Sequence, residues 1–137
     1  MKIRIGFPPN IDSIRFAGLS DENSIFCYGD TLYVPHGKEV PADIQFHEQV
    51  HEKQQKAFSS PELWWQKYIM DRGFRLEEEL KAYAAQFQFV KRFYKDKEQK
   101  EALDEFATNL SGPMYKLGLT FHKARTLIRH LAKEGLS

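Results

Sequence analysis

The longest helical pattern in the chain is the stretch FRLEEELKAYAAQFQFVKRFYKD, residues 74–96. Its large apolar residues recur every three or four positions. They are Leu76, Leu80, Tyr83, Phe87, Val90 and Tyr94. Because an α-helix has about 3.6 residues per turn, this spacing places them on one face. The stretch therefore predicts a long helix with one side in the core, and we expect the other elements on either side of it.

Helical patterns also precede this stretch, beginning at Pro41. The segment PADIQFHEQVHEKQQKAF, residues 41–58, places its apolar residues and two histidines close to one face. The next segment, residues 59–72, has Ser60 as N-cap and Pro61 at the first helical position. Gly73 is predicted to break or bend the chain before the long helix.

Two further helices are predicted after the long one. The first covers residues 97–110 and stops at Ser111-Gly112-Pro113. The second covers residues 121–134, where Thr120 is the expected N-cap and Gly135 the expected end.

The N-terminal part of the chain is different and favours strands. The runs SIFCY, residues 24–28, and TLYVP, residues 31–35, are joined by Gly29-Asp30, which predicts a β-hairpin. The segment KIRI, residues 2–5, alternates charged and apolar residues and predicts another short strand. We therefore expect the α+β class. A small N-terminal antiparallel hairpin or sheet packs on a helical body, with one core and a single domain over residues 1–137.

Composition limits the classes of function. A net charge of +1 gives no electrostatic footprint for nucleic acid or for an anionic membrane, so we expect neither as a partner. No apolar run approaches the length of a membrane span, and the first ten residues lack the apolar core of a signal peptide. The single cysteine, Cys27, excludes an internal disulfide and fits a reducing compartment. These features predict a cytoplasmic protein in which Cys27 is a buried apolar residue; the alternative is a nucleophile.

The segment HEQVH, residues 47–51, carries the strongest chemical signal and matches the pattern H-E-x-x-H. Residues four apart lie above one another on a helix, so His47 and His51 can reach one metal ion. Glu48 lies about 100° around the helix, near the ligand face but off it. There it can take a proton from a zinc-bound water, whose pKa falls to about 7. The alternative is a pair of structural histidines whose hydrogen bonds are satisfied.

A catalytic zinc ion needs a third protein ligand and an open position. The best candidates are three consecutive glutamates at the start of the long helix, Glu77, Glu78 and Glu79. Relative to the centre of the apolar face, they lie at about 100°, 160° and 60° respectively. Glu79 is therefore the predicted ligand, while Glu77 and Glu78 fit surface acids near a helix start.

At this point the chain resembles the gluzincin branch of the zinc metallopeptidases. HEQVH is similar to their active-site helix. EELKAYAAQ, residues 78–86, is similar to their second helix, where a small residue follows the ligand glutamate by three positions, as Ala82 follows Glu79. The resemblance implies that His47, His51 and Glu79 bind Zn²⁺ and that Glu48 is the general base and acid. It also implies a minimal zincin-like domain.

The layout also resembles small metallopeptidase-like proteins, often encoded by phages, whose substrate is unassigned. The similarity lies in YGDTLYVP, residues 28–35, then the HExxH helix, then W--KY and E--AY motifs. Residues 28–35 also resemble the edge strand that binds an extended peptide substrate in the gluzincins, which implies that role for them here.

Several residues are candidates for stabilising the oxyanion of the reaction. Tyr83, Tyr115 and His36 each have a suitable polar group, and each also fits a simpler role in packing or in a surface loop. Trp64 and Trp65 are expected in the core, with a substrate platform as the alternative. Gln54 and Gln55 are either solvated or in contact with the ligand histidines.

Three functions follow from these features. The first is a zinc-dependent hydrolase, a peptidase in which Glu48 activates a zinc-bound water and the substrate is a peptide or protein. The second is a non-catalytic binding or structural module that zinc stabilises. The third is a metal-free helical interaction protein.

Overall fold

The computed structural model of the chain describes residues 1–134. Three short strands and six helices are present in these residues. Their order is β1 (Lys2–Arg4), α1 (Ile11–Phe16), β2 (Phe26–Tyr28), β3 (Thr31–Tyr33), α2 (Ala42–Gln55), α3 (Pro61–Met70), α4 (Arg72–Phe93), α5 (Asp96–Ser111) and α6 (Phe121–Glu134). The predicted α+β class, with a small N-terminal sheet and a helical body, is confirmed.

The predicted hairpin is formed by β2 and β3, which pair antiparallel across Gly29-Asp30. Gly29 has a φ of +62°, a conformation that favours glycine at the first central position of a type II′ turn. β1 pairs parallel with the other side of β3, so the strand order is β1-β3-β2. The sheet is therefore mixed rather than purely antiparallel. β1 and β3 both run opposite to β2, and β3 inserts between them.

This order corrects one sequence-based expectation. Residues 28–35 were the predicted edge strand for a peptide substrate, but β3 is the central strand and pairs on both sides. A strand that already pairs with two neighbours has no free row of backbone groups for a third. The sequence shows the hairpin through its turn, whereas the pairing of β1 is long-range and leaves no local signal.

The helix boundaries follow local capping chemistry. Ser60 caps α3 by accepting a hydrogen bond from the backbone N–H of Leu63, as predicted. The break before α4 falls at Asp71, whose carboxylate accepts from the N–H of Phe74, while Gly73 lies in the first turn of the helix. The predicted break at Gly73 is thus two residues late, because the cap rather than the glycine sets the boundary.

The C-terminal helices agree with the sequence at the ends that are described. α5 ends at Ser111, and Gly112 is its C-cap. The hydroxyl of Thr120 accepts from the N–H of Lys123, which confirms it as the cap of α6. The expected end at Gly135 lies outside the described residues. The short helix α1 was not predicted, because its six residues are too few to show a helical period. Its Ile14 is fully buried.

The long helix α4 lies at the centre of the helical body and contacts α2, α3, α5 and α6. Its predicted apolar face packs against α5 and α6, with Tyr83, Phe87 and Val90 buried. A second face of α4, beside α2, is buried as well. It carries two polar residues, Glu79 and Gln86, with the small Ala82 between them, and all three are at most 3% exposed.

The buried apolar residues form three clusters rather than the single expected core. The largest joins α4, α5 and α6. A second joins α1, β2 and α3 around Trp64, Trp65 and Tyr68. A small third cluster is formed by Leu32 of β3 with Val34 and Val40 of the segment that follows. Among the described residues, none of the helices combines the length and the apolar character that crossing a membrane requires.

Leu110 offers a test of the largest cluster, because its side chain is fully buried there. We expect Leu110→Ala to lower the free energy of unfolding by about 2–5 kcal/mol, since it removes buried methyl groups and leaves a cavity. Leu63→Ala is the control, because Leu63 is 45% exposed, and it should cost less than about 1 kcal/mol. Urea unfolding measures both. Equal losses would contradict this packing.

Candidate metal centre

Two helices bring three potential metal ligands together. α2 turns His47 and His51 inward, one helical turn apart, with ring centroids separated by 4.9 Å. α4 places Glu79 opposite them. All three residues are at most 5% exposed. The predicted face of α2 and the predicted glutamate of α4 therefore meet in the interior of the molecule.

The distances between the donor atoms suit a small metal ion. Glu79 Oε1 lies 3.2 Å from His47 Nε2 and 3.3 Å from His51 Nε2. In a tetrahedral zinc site with bonds of about 2.0–2.1 Å, neighbouring donor atoms are separated by about 3.3 Å. Both distances from Glu79 Oε1 thus match those between ligands that share one ion.

The hydrogen bonds of His47 fix which of its nitrogens faces the centre. The Gln86 Nε2 group donates to Asp43 Oδ2 at 2.7 Å, which orients the Gln86 amide. Gln86 Oε1 then lies 2.9 Å from His47 Nδ1 and accepts a hydrogen bond from its N–H. Neutral His47 therefore has its proton on Nδ1, and the lone pair of Nε2 points toward Glu79.

His51 is held in the same way by a different glutamine. Gln54 Nε2 donates to the backbone carbonyl of Glu78 at 3.1 Å, and Gln54 Oε1 lies 2.8 Å from His51 Nδ1. The neutral ring again directs an Nε2 lone pair at Glu79. Two lone pairs and one carboxylate oxygen at this spacing repel one another unless a proton or a cation lies between them.

Tyr68 holds the second oxygen of Glu79. Its hydroxyl donates to Glu79 Oε2 at 2.6 Å, in the interior of the protein. This bond leaves Oε1 as the atom that faces both histidines. Each of the three ligands thus has its own buried or half-buried hydrogen-bond partner, an arrangement that fixes ligand orientation in metal sites.

Without a metal, a proton takes the place of the cation. Burial by itself would lower the pKa of His51, but the charge of Glu79 and the hydrogen bond to it raise this pKa from 6.5 to about 9. Burial would raise the pKa of Glu79, but the positive charge at His51 and the hydrogen bond from its ring hold that pKa well below its usual range. The site therefore stabilises a positive charge between these groups.

Glu48 lies beside the three candidate ligands. Its carboxylate and the ring nitrogens of His47 and His51 lie within 4.8 Å of one another. However, Glu48 Oε2 is 3.9 Å from His47 Nε2, farther than Glu79 is from either histidine. Both glutamates could take part in holding an ion, and Glu79 is therefore the better placed of the two as a third ligand. Glu48 is 8% exposed and accepts no hydrogen bond from any residue between 1 and 134.

Burial is the main reason why the pKa of Glu48 is raised, while the two histidines oppose the change. A carboxylate with a raised pKa is a better proton acceptor at neutral pH than an exposed one. Glu48 thus combines proximity to the ligand atoms, an unused hydrogen-bonding capacity and a suitable basicity.

The centre opens into a cleft of about 960 Å³. Tyr83 and Tyr115 line it, and their hydroxyls are hydrogen-bonded to each other at 3.1 Å. The Tyr83 ring packs edge-on against His47, with centroids 4.5 Å apart. Burial raises the pKa of both phenols, so both stay protonated and can donate. Both predicted tyrosines therefore lie at the cleft, and Tyr83 also packs in the core.

The remaining candidates have simpler roles. His36 lines the cleft, and its Nδ1 accepts from the N–H of Lys38. Trp64 and Trp65 are core residues, as predicted, although both also line the inner end of the cleft. Cys27 is buried, and burial raises the pKa of its thiol far above neutral, as expected for an apolar residue and not for a nucleophile.

The expectation for Glu78 is wrong. It is not a surface acid, because α3 covers the start of α4 and Trp64 Nε1 donates to the Glu78 carboxylate at 2.9 Å. Of the two alternatives for Gln54, the structure has the contact with a ligand histidine, since Gln54 holds His51. Gln55 follows neither alternative: it is buried and binds the hairpin, by accepting from Gly29 N and donating to the carbonyl of Cys27. Glu77 is exposed, as predicted, and pairs with Lys81.

Sequence analysis missed the residues that orient the ligands. Gln86 follows Glu79 by seven positions and so shares its helix face, which is a signal that was available. Asp43 lies one helical turn before His47, which is also a local signal. Tyr68 stands in the W--KY motif, but its bond to Glu79 depends on how α3 crosses α4.

No protein-family model, curated protein sequence or solved structure matches this chain. The chemistry of the centre therefore rests on its own geometry.

Gln86→Leu tests the orientation of His47. Without the amide oxygen, the His47 ring loses the partner of its Nδ1–H, and zinc affinity should fall about 10–100-fold. Competition with a chromophoric zinc chelator measures the change. The control is Gln49→Leu on the exposed side of α2, which should keep wild-type affinity. Equal zinc affinities of wild type, Gln86→Leu and Gln49→Leu would show that Gln86 does not orient a zinc ligand.

The raised pKa of His51 predicts a pH effect in protein freed of metal. The interaction of protonated His51 with Glu79 contributes its full stabilisation of the folded protein below pH 6.5. This stabilisation is lost as the pH rises through about 9, the pKa of His51 in the folded state. The expected loss is on the order of 3 kcal/mol, and the raised pKa of Glu48 acts in the same direction from lower pH.

Urea unfolding in the presence of a chelator, at pH 6.5 and pH 9, measures this loss. In Glu79→Gln the difference between the two pH values should shrink sharply, because the partner charge is gone. A wild-type protein that is equally stable at both pH values would show that His51 is neutral in the folded state.

Proposed function

We propose that this protein is a zinc-dependent hydrolase, specifically a peptidase. The observation that carries the proposal is the convergence of His47 Nε2, His51 Nε2 and Glu79 Oε1 at the spacing of zinc ligands, with the free carboxylate of Glu48 beside them. The resemblance of HEQVH and EELKAYAAQ to the two gluzincin helices supports the same assignment.

The donor set favours zinc over harder cations. Two imidazole nitrogens and one carboxylate oxygen suit Zn²⁺, whereas Ca²⁺ and Mg²⁺ prefer sites built of oxygen atoms. Three protein ligands leave one tetrahedral position open, which is typical of catalytic rather than structural zinc sites. When bound, the ion would supply Lewis acidity and lower the pKa of a coordinated water to about 7.

The protein's own residues divide the remaining chemistry. Glu48 takes a proton from the attacking water, since its carboxylate is close to the ligand atoms and has no other partner. It then gives this proton to the leaving amine, as a general acid. Burial favours both steps, because it keeps the pKa of Glu48 above that of an exposed carboxyl group.

The negative charge that develops on the carbonyl oxygen needs hydrogen-bond donors. The hydroxyl pair of Tyr83 and Tyr115 is the proposed source of such a donor, since both residues line the cleft and both stay protonated. One hydroxyl donates to the other, which leaves one O–H for the oxyanion. His36, which also lines the cleft, is the alternative.

The substrate segment is proposed to lie along the cleft. The start of β2 replaces β3 as its backbone partner, because Ile25 and Phe26 line the cleft and β2 is an edge strand. Farther along β2 the edge is already used, as the carbonyl of Cys27 accepts from Gln55 and Trp65. The single cysteine and the absence of a disulfide make the cytoplasm the proposed location.

A second candidate function is a zinc-stabilised structural or binding module. The observation in its favour is that the three candidate ligands lie in the interior on two helices, His47 and His51 on α2 and Glu79 on α4. A bound ion would therefore also fix the packing of α2 on α4. Removal of zinc by a chelator should then lower the melting temperature strongly, while no peptide in a library is cleaved.

Glu48→Gln distinguishes the two functions. The variant should bind one zinc ion per chain, as wild type does, because Glu48 is not a ligand. Its peptidase activity should fall at least about 100-fold, because an amide cannot accept the proton. Metal analysis and a peptide-library assay measure the two properties. Glu52→Gln, on the same helix and not lining the cleft, is the matched control and should keep wild-type activity.

A Glu48→Gln variant that cleaves as fast as wild type would contradict the mechanism. A wild-type protein that binds zinc, is stabilised by it and cleaves nothing would favour the structural module.

A further inference from the structure

The outer walls of the cleft carry charges of one sign. On one wall, α5 presents Glu98, Glu101 and Glu105, which are spaced three and four residues apart and so share a helix face. Three more carboxylates line the cleft from segments other than α5. They belong to Asp21, Glu39 and Asp43.

Nothing described in the chain neutralises these groups. The cleft has no lysine or arginine in its lining, although the chain has 20 such residues in all. Within residues 1–134, none of the six wall carboxylates forms an ion pair with a lysine or arginine. Asp43 accepts only from the neutral groups of Gln86 and Tyr94.

A metal ion at the centre would not neutralise the negative charge of the wall carboxylates. Two neutral histidines, Glu79 and Glu48 would balance the charge of a divalent ion at the base of the cleft. The wall carboxylates therefore remain as an excess of negative charge. A concave surface lined by one sign of charge concentrates the electric field and attracts ligands of the opposite sign.

Glu48 lies at the base of the same cleft. Only 8% of the residue is exposed, and no described residue gives its carboxylate a hydrogen bond. Its oxygens are therefore free for a molecule held at the base of the cleft, between the acidic walls.

We propose that the cleft selects peptide segments rich in lysine and arginine. The proposal rests on the proposed function for cleavage, and it adds the substrate class. The two walls would pair with cationic side chains on both sides of the bond held at the base of the cleft. Because the wall carboxylates are largely exposed, they would act mainly through attraction and orientation, and salt would weaken the effect.

The test uses three ten-residue peptides that share one central sequence. Their flanking residues are four lysines, four glutamines or four glutamates. We expect the zinc-loaded protein to cleave the lysine peptide with a kcat/KM roughly tenfold above that of the glutamine peptide at low salt, and the glutamate peptide most slowly. The preference should shrink at high salt, since charges more than about 10 Å apart are screened at 0.1 M.

Paired variants locate the effect. Glu101→Gln with Glu105→Gln should lower kcat/KM for the lysine peptide about tenfold and leave that for the glutamine peptide unchanged. Glu101→Lys with Glu105→Lys should weaken the preference further, because four wall carboxylates then face two lysines. The control, Asp12→Asn with Asp96→Asn, removes two exposed carboxylates that do not line the cleft, and the preference should persist.

A binding measurement separates this inference from the proposed function. Fluorescence anisotropy reports the affinity of zinc-loaded Glu48→Gln for the same peptides without turnover. Tight binding of the lysine peptide that depends on Glu101 and Glu105 supports the selectivity even if wild type cleaves nothing, in which case the proposed function fails alone. Cleavage or binding without a charge preference, or a preference that the control variant also loses, overturns the inference and leaves the peptidase proposal standing.

Discussion

The buried carboxylate of Glu79 is the group that side chains from two other helices, α2 and α3, contact in the interior of this protein. One oxygen lies within 3.3 Å of the ring nitrogens of His47 and His51, and the other accepts a hydrogen bond from Tyr68. A buried carboxylate is stable only where positive charge and hydrogen-bond donors surround it. Three helices, α2, α3 and α4, supply these groups. Their mutual packing is therefore tied to the charge of one side chain.

This constraint explains why the buried apolar residues form separate clusters. The ligand layer lies between the cluster around α5 and α6 and the cluster around Trp64 and Trp65. The Tyr83 ring closes one side against His47, and the Trp64 ring closes the other against His51. Aromatic walls of this kind exclude water from the ligands and strengthen the electrostatic interactions between them. The glutamines Gln54 and Gln86 complete the layer by fixing both ring orientations.

The same layer is open on one side, where the cleft begins. Glu48 lies at this boundary, close to the ligand atoms and without a partner of its own. Farther out, the tyrosine pair and the acidic walls give the cleft two chemically different regions. In the proposed function the inner region would carry out the hydrolysis, and the charges of the outer region would select the substrate.

Local sequence patterns predicted much of this arrangement. The face shared by His47 and His51, the inward position of Glu79 and the Gly29-Asp30 hairpin all depend on helix periodicity or turn chemistry. Such patterns act over a few residues, so a single segment reveals them. The order β1-β3-β2, by contrast, depends on pairing between residues about thirty positions apart. The burial of Glu78 likewise depends on α3 crossing α4, which no single segment encodes.

The sequence by itself therefore determined the hairpin, the five longer helices, the apolar faces of these helices and the identity of the candidate ligands, but not the short helix α1. Tertiary structure decided which side chains orient those ligands, which strand borders the cleft and which carboxylates line its walls. The physical reason is the range of the interactions. Periodicity and capping are properties of consecutive residues, whereas the bonds of Tyr68 to Glu79 and of Gln86 to His47 form only after separate helices have packed.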